Sequence, residues 1–321
     1  MNLSRTYLER SAAGTGYLPE TLEKVTHLGE IASAIGQHPF LRTRLALKGG
    51  TALNLCLVES PARLSVDLDY NYVGHEERAA MLGERPRIEE AIVVLLKRLG
   101  YRLQHSAEAF AGRKLYASFP SVFGTEGRVE LDLNFLWRIP LKTVAGKMLW
   151  QPGELDRRQV IVVSLEELCL GKMLAFLDRS APRDAWDIAH LPDVAADILA
   201  TPLFRVLFVA FSATLPHPLN TYTREKIASR MTVRTVSEQL WPMLATNSKP
   251  DQKALIEQAW GVMEPFLRLW DNEEQYIKSI HEGNVRASLI ADGDAALGDL
   301  ITRHPAIRWK VENVLKSSPN P

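Results

Sequence analysis

Cysteine is scarce in this 321-residue sequence, long apolar runs are missing, and neither sign of charge is in excess. The two cysteines, Cys56 and Cys169, lie in apolar stretches with no CxxC pair or Cys/His cluster. This pattern excludes a disulfide framework and indicates no zinc site. We therefore expect both thiols to be buried as small apolar side chains.

Apolar residues never run long enough to suggest a membrane span. The longest clean runs are residues 91–96 and 206–211, against the ~18 residues that a membrane helix needs, and the first residues lack the apolar core of a signal peptide. Lys plus Arg number 38, as do Asp plus Glu, so net charge does not favour a nucleic-acid partner. We expect a soluble, cytoplasmic protein without a membrane partner.

The composition, 46% hydrophobic and 24% charged, is typical of a folded protein. At about 150 residues per domain, the length predicts two domains or one large domain with an extension. Segments with strand-like patterns end near residue 163, and helical periodicity dominates from about residue 193. We predict an α+β domain over residues 1–163 and a mostly helical domain over residues 164–321.

Hydrophobic periodicity predicts the individual elements. Apolar positions three to four residues apart predict a helix over residues 19–35, and an apolar segment over 45–48 predicts a strand that Gly49 and Gly50 end before a helix begins. Alternation predicts a strand over 63–71 and another over 128–135. Further predicted elements are strands near 114–119 and 160–163, a helix over 86–99, and a helix that starts at the capping-box pair Ser164 and Glu167 and carries Lys172.

Acidic residues stand on the polar faces of two predicted strands. Asp67 and Asp69 are two residues apart, so both carboxylates project from one face, and Asp132 completes the set if the two strands are neighbours. Hard oxygen donors in this arrangement suit a magnesium ion (Mg²⁺), or manganese (Mn²⁺), shared with substrate phosphates. The alternative is that these residues form the solvated faces of edge strands.

The glycine pair lies within twenty residues of the two aspartates. A strand that ends in Gly49 and Gly50 and opens a helix lets backbone N–H groups approach a phosphate, with the helix N-terminus adding a favourable partial charge. An ordinary tight turn is the alternative for the pair alone. Together with three aspartates, the pair favours a phosphate-binding site.

Four segments in one order carry a family resemblance over about residues 40–190. The runs LKGGTALNL, RLSVDLDY, VELDLNF and EELCLGKMLAFLDRSAPRDAWDI resemble the AbiEii/AbiGii toxin family of nucleotidyltransferases, the enzyme halves of bacterial type IV toxin–antitoxin and abortive-infection pairs. The resemblance implies a polymerase-β-like nucleotidyltransferase fold with a mixed sheet, followed by a C-terminal helical region that completes the active site.

The resemblance also implies roles for individual residues. Asp67, Asp69 and Asp132 match the metal-binding and catalytic carboxylates, and Asp132 resembles a carboxylate that can activate the attacking hydroxyl. Lys48, Gly49, Gly50 and Ser65 resemble the nucleotide-binding segment around the triphosphate. Arg63 resembles a basic residue before that serine, where it either neutralises phosphate charge or forms a surface salt bridge.

The resemblance extends to the second predicted domain. Lys172 matches a family lysine expected to meet the nucleotide's phosphates, and Arg183, Asp184 and Asp187 match a closing motif of the nucleotide site. Asp184 has a second interpretation, because an Asp after Pro182 and before a helical segment is a good N-cap.

The predicted function is transfer of a nucleoside monophosphate from an NTP to an acceptor, with Mg²⁺ and release of pyrophosphate. The resemblance further implies that the acceptor is the tRNA 3′ end and that the enzyme is a toxin with a cognate antitoxin. Alternatives are nucleotidylation of protein by the same site, a catalytically silent nucleotide-binding module, and a DxD glycosyltransferase, which typically has more than the sixty residues found here before its motif. Candidate acceptor-binding residues are Arg113 and Lys114 in the core and the basic cluster Arg303, Arg308 and Lys310, for which a solvated helix face is the alternative.

Overall fold

The structure is a computed structural model that describes residues 3–106 and 111–317. Its contacts divide the chain into two compact units. Unit 1 comprises the described residues up to Leu168 together with Ser237–Lys249, and unit 2 comprises Cys169–Val236 and the described residues from Pro250 onward. The predicted domain division after residue 163 stays a prediction.

Unit 1 is built around a seven-stranded mixed sheet with strand order β3-β4-β5-β2-β1-β7-β6. The pairs β1/β7 and β2/β5 are parallel, and the other neighbours are antiparallel. The predicted α+β class with a mixed sheet is thereby confirmed. The strands are β1 (Leu45–Lys48), β2 (Asp67–Tyr72), β3 (Arg102–His105), β4 (Gly112–Pro120), β5 (Glu126–Asn134), β6 (Ala145–Leu149) and β7 (Arg158–Val162).

Helices cover one face of this sheet. Helix α2 buries Leu22, Val25 and Leu28 completely, as its three-to-four periodicity predicts. Tyr72 and Phe135 pack at 5.6 Å between ring centroids on the same apolar face. The helices within unit 1 are α1 (Arg5–Thr15), α2 (Pro19–Gln37), α3 (Gly49–Cys56) and α4 (Arg78–Arg98).

Two predicted element boundaries are wrong. Strand β2 begins at Asp67 rather than at residue 63, because the Leu64 N–H donates to Met243 O at 2.7 Å instead of to a neighbouring strand. Helix α4 begins at Arg78, and Pro86 lies inside it rather than at its start. Pro86 has no N–H, so it cannot donate the usual intrahelical hydrogen bond to the carbonyl of Leu82.

A helix joins the two units and further helices form unit 2. The helical character predicted from about residue 193 onward is confirmed, and Phe204 and Phe208 pack edge-to-face against Phe266 in the core. The helices are α5 (Leu165–Arg179), α6 (Pro182–Leu199), α7 (Pro202–Ser212), α8 (Arg224–Arg230), α9 (Val233–Gln239), α10 (Gln252–Leu267), α11 (Asp271–His281), α12 (Ala295–Arg303) and α13 (Pro305–Ser317).

The segment Ser237–Lys249, which begins within α9, belongs to unit 1. Besides Met243, which accepts from the Leu64 N–H, Pro242 O accepts from the Thr21 hydroxyl at 3.1 Å. The Thr246 N–H donates to Gly16 O at 2.9 Å. This return segment therefore ties the stretch before β2 to the start of the chain.

Two expectations about composition can be checked in the structure. Cys56 and Cys169 are both free and buried, as predicted. Over the described ranges, no single helix has the length and apolar character of a membrane span; one sharply bent pair, α6 with α7, reaches them only when its two helices are combined.

Candidate active site

Four charged side chains lie side by side across four neighbouring strands of unit 1. Lys48 on β1 is the register partner of Asp69 on β2, Asp69 is the partner of Asp132 on β5, and Asp132 is the partner of Lys114 on β4. Register partners project from the same face of a sheet. The order across the face is therefore cation, carboxylate, carboxylate, cation, and we call it the charged row.

A second pair of carboxylates lies next to the charged row. Asp67 on β2 is the register partner of Glu130 on β5, and both share the face of Asp69 and Asp132. The Lys114 ammonium contacts the Glu130 carboxylate and lies 3.7 Å from Asp132 Oδ2. Glu130 was not predicted as a site residue, although its place on the polar side of the strand pattern was visible in the sequence. We call Asp67, Asp69, Glu130 and Asp132 the acidic block.

The electrostatics of the acidic block are visible at Asp132. Burial, followed by the Asp69 charge, raises the pKa of the Asp132 carboxyl, while Lys114 and Lys48 oppose that rise. Two like charges on adjacent strands repel each other and are only partly compensated by the lysines. The arrangement therefore favours binding of additional positive charge between Asp69 and Asp132.

Helix α3 begins directly at the glycine pair, so Gly49 and Gly50 are its first residues rather than a turn before it. Gly49 has φ +71°, which glycine adopts without strain. A methyl group on Gly49 would lie 2.3 Å from Asp69 Oδ2. The first N–H groups of α3 and the Asp69 carboxylate are therefore neighbours, and the missing side chain is what makes room for both.

The stretch that leads into β2 is buried, which the alternating pattern did not predict. Ser65 is 5% exposed, and its Oγ lies 2.9 Å from the Thr51 hydroxyl, which also donates to the Asp67 carbonyl. Arg63 is 2% exposed and donates to Leu64 O at 2.8 Å, so the surface salt bridge considered for it is wrong. Thr51 on α3 thus fixes the start of the strand that carries Asp67.

A buried carboxylate lies on the same face beyond the charged row. Glu167 accepts from Asn71 Nδ2 at 2.8 Å and from the Leu141 N–H at 3.0 Å. Burial raises the pKa of Glu167, and these two donors and Lys48 oppose the shift. In the predicted capping box, Ser164 Oγ does accept from the Glu167 N–H at 3.3 Å, but the Glu167 carboxylate is engaged with Asn71 and Leu141.

In unit 2, the motif residues form a buried ionic cluster. Lys172 Nζ lies 2.7 Å from Asp187 Oδ2 and 3.3 Å from Asp184 Oδ1, and Arg179 Nε lies 2.6 Å from Asp184 Oδ2. Lys172, Asp184 and Asp187 are at most 6% exposed. Burial would raise the pKa of Asp184, but Lys172 and Arg179 outweigh it and lower that pKa.

The N-cap interpretation of Asp184 is wrong. Ala181 occupies the cap position of α6, no side chain caps it, and Asp184 is the third residue of the helix. Its carboxylate binds Lys172 and Arg179 instead, and the adjacent Arg183 is partly buried. Asp184 therefore belongs to the ionic cluster.

Comparisons with known proteins bear directly on this arrangement. The sequence model of one family, described as nucleotidyl transferase AbiEii toxin of the type IV TA system, matches residues 34–264, which is more than half of the chain. The chain belongs to the AbiEii family. It is therefore a nucleotidyltransferase toxin of a type IV toxin–antitoxin system.

A solved structure shares the fold. The nucleotidyltransferase toxin MenT4 from Mycobacterium tuberculosis superposes with a TM-score of 0.63 at 16% identity, over 98% of this chain and 99% of that chain. No curated protein matches the sequence. The predicted nucleotidyltransferase fold is confirmed by the structural match, and the predicted family by the family model.

The AbiEii chain carries a donor set that fits a divalent metal only in part. Over residues 3–106 and 111–317, no three Asp, Glu, His or Cys side chains converge closely enough to hold a metal ion by themselves. Asp69 and Asp132 nevertheless lie close enough for one carboxylate to raise the other's pKa. Carboxylate oxygens in this number suit Mg²⁺, which keeps waters and substrate phosphates as its remaining ligands. The residues present therefore fit a substrate-dependent metal site.

The candidate acceptor-binding cations occupy different environments in this AbiEii protein. Lys114 belongs to the charged row, whereas Arg113 lies 2.7 Å from Glu89 on α4. The C-terminal basic cluster is not a free basic patch: Arg303 pairs with Asp299 at 2.9 Å, and Lys310 donates to Leu215 O at 2.6 Å. Burial lowers the pKa of Lys310. Arg308 is exposed.

Proposed function

We propose that this toxin transfers a nucleoside monophosphate from an NTP to the 3′ end of tRNA and releases pyrophosphate, with Mg²⁺ or Mn²⁺ as its cofactor. The charged row carries the proposal, because it places two carboxylates on adjacent strands beside the N-terminus of a helix that begins with two glycines. Phosphoryl transfer needs mainly positioning and charge neutralisation, which such a site supplies. The proposed site of action is the cytoplasm, and a cognate antitoxin is the proposed partner.

Asp67, Asp69 and Asp132 are the proposed metal ligands, and waters and substrate phosphates would complete the set, because no three acidic side chains of the described residues converge on a metal by themselves. A bound Mg²⁺ supplies charge neutralisation at the triphosphate. Lys48 and the first N–H groups of α3, at Gly49 and Gly50, bind phosphate oxygens. Ser65 supports this segment through its contact with Thr51.

The proposed reaction is a single displacement at the α-phosphorus. The acceptor hydroxyl oxygen forms the new bond to phosphorus, the bond from the α-phosphorus to the bridging oxygen breaks, and pyrophosphate leaves with that electron pair. Asp132 accepts the proton of the attacking hydroxyl. The protein's own groups thus orient the reactants and take up one proton.

We propose that Lys172, Arg183, Asp184 and Asp187 serve the same reaction. Asp184 and Asp187 fix the Lys172 ammonium from two sides, so its position is set before substrate arrives. In the proposal, Lys172 and Arg183 contribute positive charge to nucleotide binding. That the helical region completes the active site stays a prediction.

The experiment incubates the purified protein with each α-³²P-labelled NTP, Mg²⁺, total bacterial tRNA and cell protein, and resolves the products on a gel. We expect label in tRNA with at least one NTP, loss of label with EDTA, and no label with Asp69→Asn. The matched control is Asp156→Asn, a change at an exposed aspartate of unit 1. Label in protein alone would replace the acceptor, and no label with any NTP would favour a silent nucleotide-binding module.

A further inference from the structure

Exposed polar side chains line one face of strands β3, β4 and β5, while the opposite face of β4 and β5 is largely buried. The open side carries Arg102 and Gln104 on β3, Lys114 and Tyr116 on β4, and Arg128 on β5, all placed on one face by the register. Arg102, Gln104, Lys114 and Arg128 are exposed and Tyr116 is partly exposed. We call these five residues the open face.

The open face continues directly from the acidic block. Lys114 is the register partner of Asp132, and Tyr116 is the partner of Glu130. Residues two apart along a strand are separated by about 6.7 Å, so Tyr116 lies one such step from the charged row and Arg128 lies two steps from Asp132. Lys48 and Gly49 lie on the opposite side of Asp69. In an in-line displacement, the attacking and leaving groups lie on opposite sides of the reacting phosphorus. If the leaving pyrophosphate lies on the Lys48 and Gly49 side, the acceptor approaches from the side of the open face.

The side chains of the open face suit a single nucleic-acid strand. The Arg128 guanidinium stacks over the Tyr116 ring at 4.7 Å from its centroid. Over the described ranges, Arg128 forms no ion pair with a carboxylate, whereas Arg102 contacts Glu126 and Lys114 contacts Glu130. An aromatic ring beside an unneutralised arginine is the combination that stacks a base and meets its phosphate.

We propose that the open face binds the single-stranded end of an RNA acceptor, with one unpaired base stacked on Tyr116 and the adjacent phosphate paired with Arg128. The inference rests on the proposed function and specifies its acceptor as a nucleic acid rather than a protein. Tyr116 supplies stacking area, Arg128 supplies charge, and neither touches the reacting phosphorus.

The test compares Tyr116→Ala and Arg128→Ala with the wild type in the tRNA-labelling assay. We expect each variant to raise KM for tRNA about 10-fold and to leave KM for the NTP unchanged, since stacking on an aromatic side chain has about this effect per base. Arg128→Ala should also reduce the slope of log affinity against log salt by about 0.7, the value of one phosphate contact on a single strand.

A matched control exists in the same unit. Arg87 stacks over the Phe40 ring at 4.2 Å from its centroid, lies on α4 and is exposed, so Arg87→Ala removes an equivalent pair away from the open face. We expect Arg87→Ala to keep the wild-type KM for tRNA. Binding without turnover is measured by fluorescence anisotropy of a short 5′-fluorescein oligoribonucleotide, with Asp69→Asn alone and with Asp69→Asn combined with Tyr116→Ala. We expect Tyr116→Ala to weaken binding and Tyr116→Phe in its place to restore it.

The outcomes separate this inference from the proposed function. If the wild type labels tRNA but Tyr116→Ala and Arg128→Ala keep its KM for tRNA, the open face is not the acceptor site and the proposed function stands. If the wild type labels only protein, both the tRNA acceptor and the open-face inference are overturned. If the wild type labels nothing, the proposed function fails. The anisotropy assay then tests the open face by itself, and oligoribonucleotide binding that Tyr116→Ala leaves unchanged would overturn the inference.

Discussion

The Asp69 carboxylate occupies the space that a side chain at Gly49 would need, since a Cβ there would lie 2.3 Å from Asp69 Oδ2. One residue of the glycine pair is therefore required by the acidic block itself, and the helix start and the carboxylates form one structural unit.

Gly49→Ala should reduce nucleotidyl transfer on the order of 10²-fold, because the methyl group displaces Asp69. Because residue 49 has a positive φ, the alanine also lowers the free energy of unfolding by about 1–2 kcal/mol. Labelling rates and urea unfolding measure the two effects. Gly83→Ala is the control, because nothing lies within 4 Å of its added Cβ and an alanine inside α4 should stabilise the protein by about 0.5–1 kcal/mol. Wild-type activity in Gly49→Ala would contradict the prediction.

Thr51→Val should lower both stability and activity. The change removes the hydroxyl that contacts Ser65 Oγ and the Asp67 carbonyl, which costs about 1–3 kcal/mol for buried polar groups left without their partner. It also frees the start of β2, so we expect a lower transfer rate. Thr26→Val is the matched control variant. Thr26 is as buried as Thr51, but its hydroxyl donates to Leu22 O within its own helix, α2. Equal losses of activity in both variants would show that Thr51 acts through stability alone.

Asp184→Asn should lower the free energy of unfolding by about 1.5–3 kcal/mol, the range for hydrogen bonds to charged groups. Lys172 and Arg179 lose a charged acceptor, while Lys172 keeps Asp187. Because the folded pKa of Asp184 is lowered, its stabilisation is present above the unfolded pKa and disappears as pH falls through the folded pKa. Urea unfolding at neutral and acidic pH checks this, with the exposed Asp178→Asn as control. A difference from wild type that grows on acidification would refute the assignment.

Glu167→Gln should change how stability depends on pH. The folded pKa of Glu167 is raised, so its folded state binds a proton more tightly, and stability falls as pH rises from the unfolded to the folded pKa. Glutamine does not titrate in this pH range. Among the described residues, Asn71 Oδ1 has no hydrogen-bond partner. If the Asn71 amide flips, the glutamine N–H can donate to that oxygen. We expect the variant to gain stability over the wild type between acidic and neutral pH. Parallel pH profiles in urea unfolding would contradict this.

The acidic residues and their faces were predictable from local sequence, because alternation along a strand fixes which side chains share a face. The pairing of Asp69 with Lys48 and with Asp132 was not predictable in the same way, since register depends on strands that are distant in the chain. Glu130 became a site residue only through that register. The burial of Arg63 was not predicted, because its neighbour Leu64 pairs with Met243, far along the sequence.

Some elements gave no periodic pattern at all. Four of the five residues of β6 are exposed, so hydrophobicity does not alternate along this edge strand. Helix α1 carries few buried residues and is defined instead by the Ser4 cap and by Gly16 at φ +77°. The cap assignment of Asp184 failed for a related reason: its local signal was right for a helix start, but a tertiary ion pair determines what the carboxylate binds.

The return segment has a consequence for how the toxin is made. A nascent chain or fragment that stops before residue 237 contains the whole acidic block but lacks the Met243 carbonyl that binds the Leu64 N–H. The stretch that leads to Asp67 therefore gains this contact only after residue 243 has been synthesised. We expect translation products that stop before residue 237 to be non-toxic to the cell that makes them.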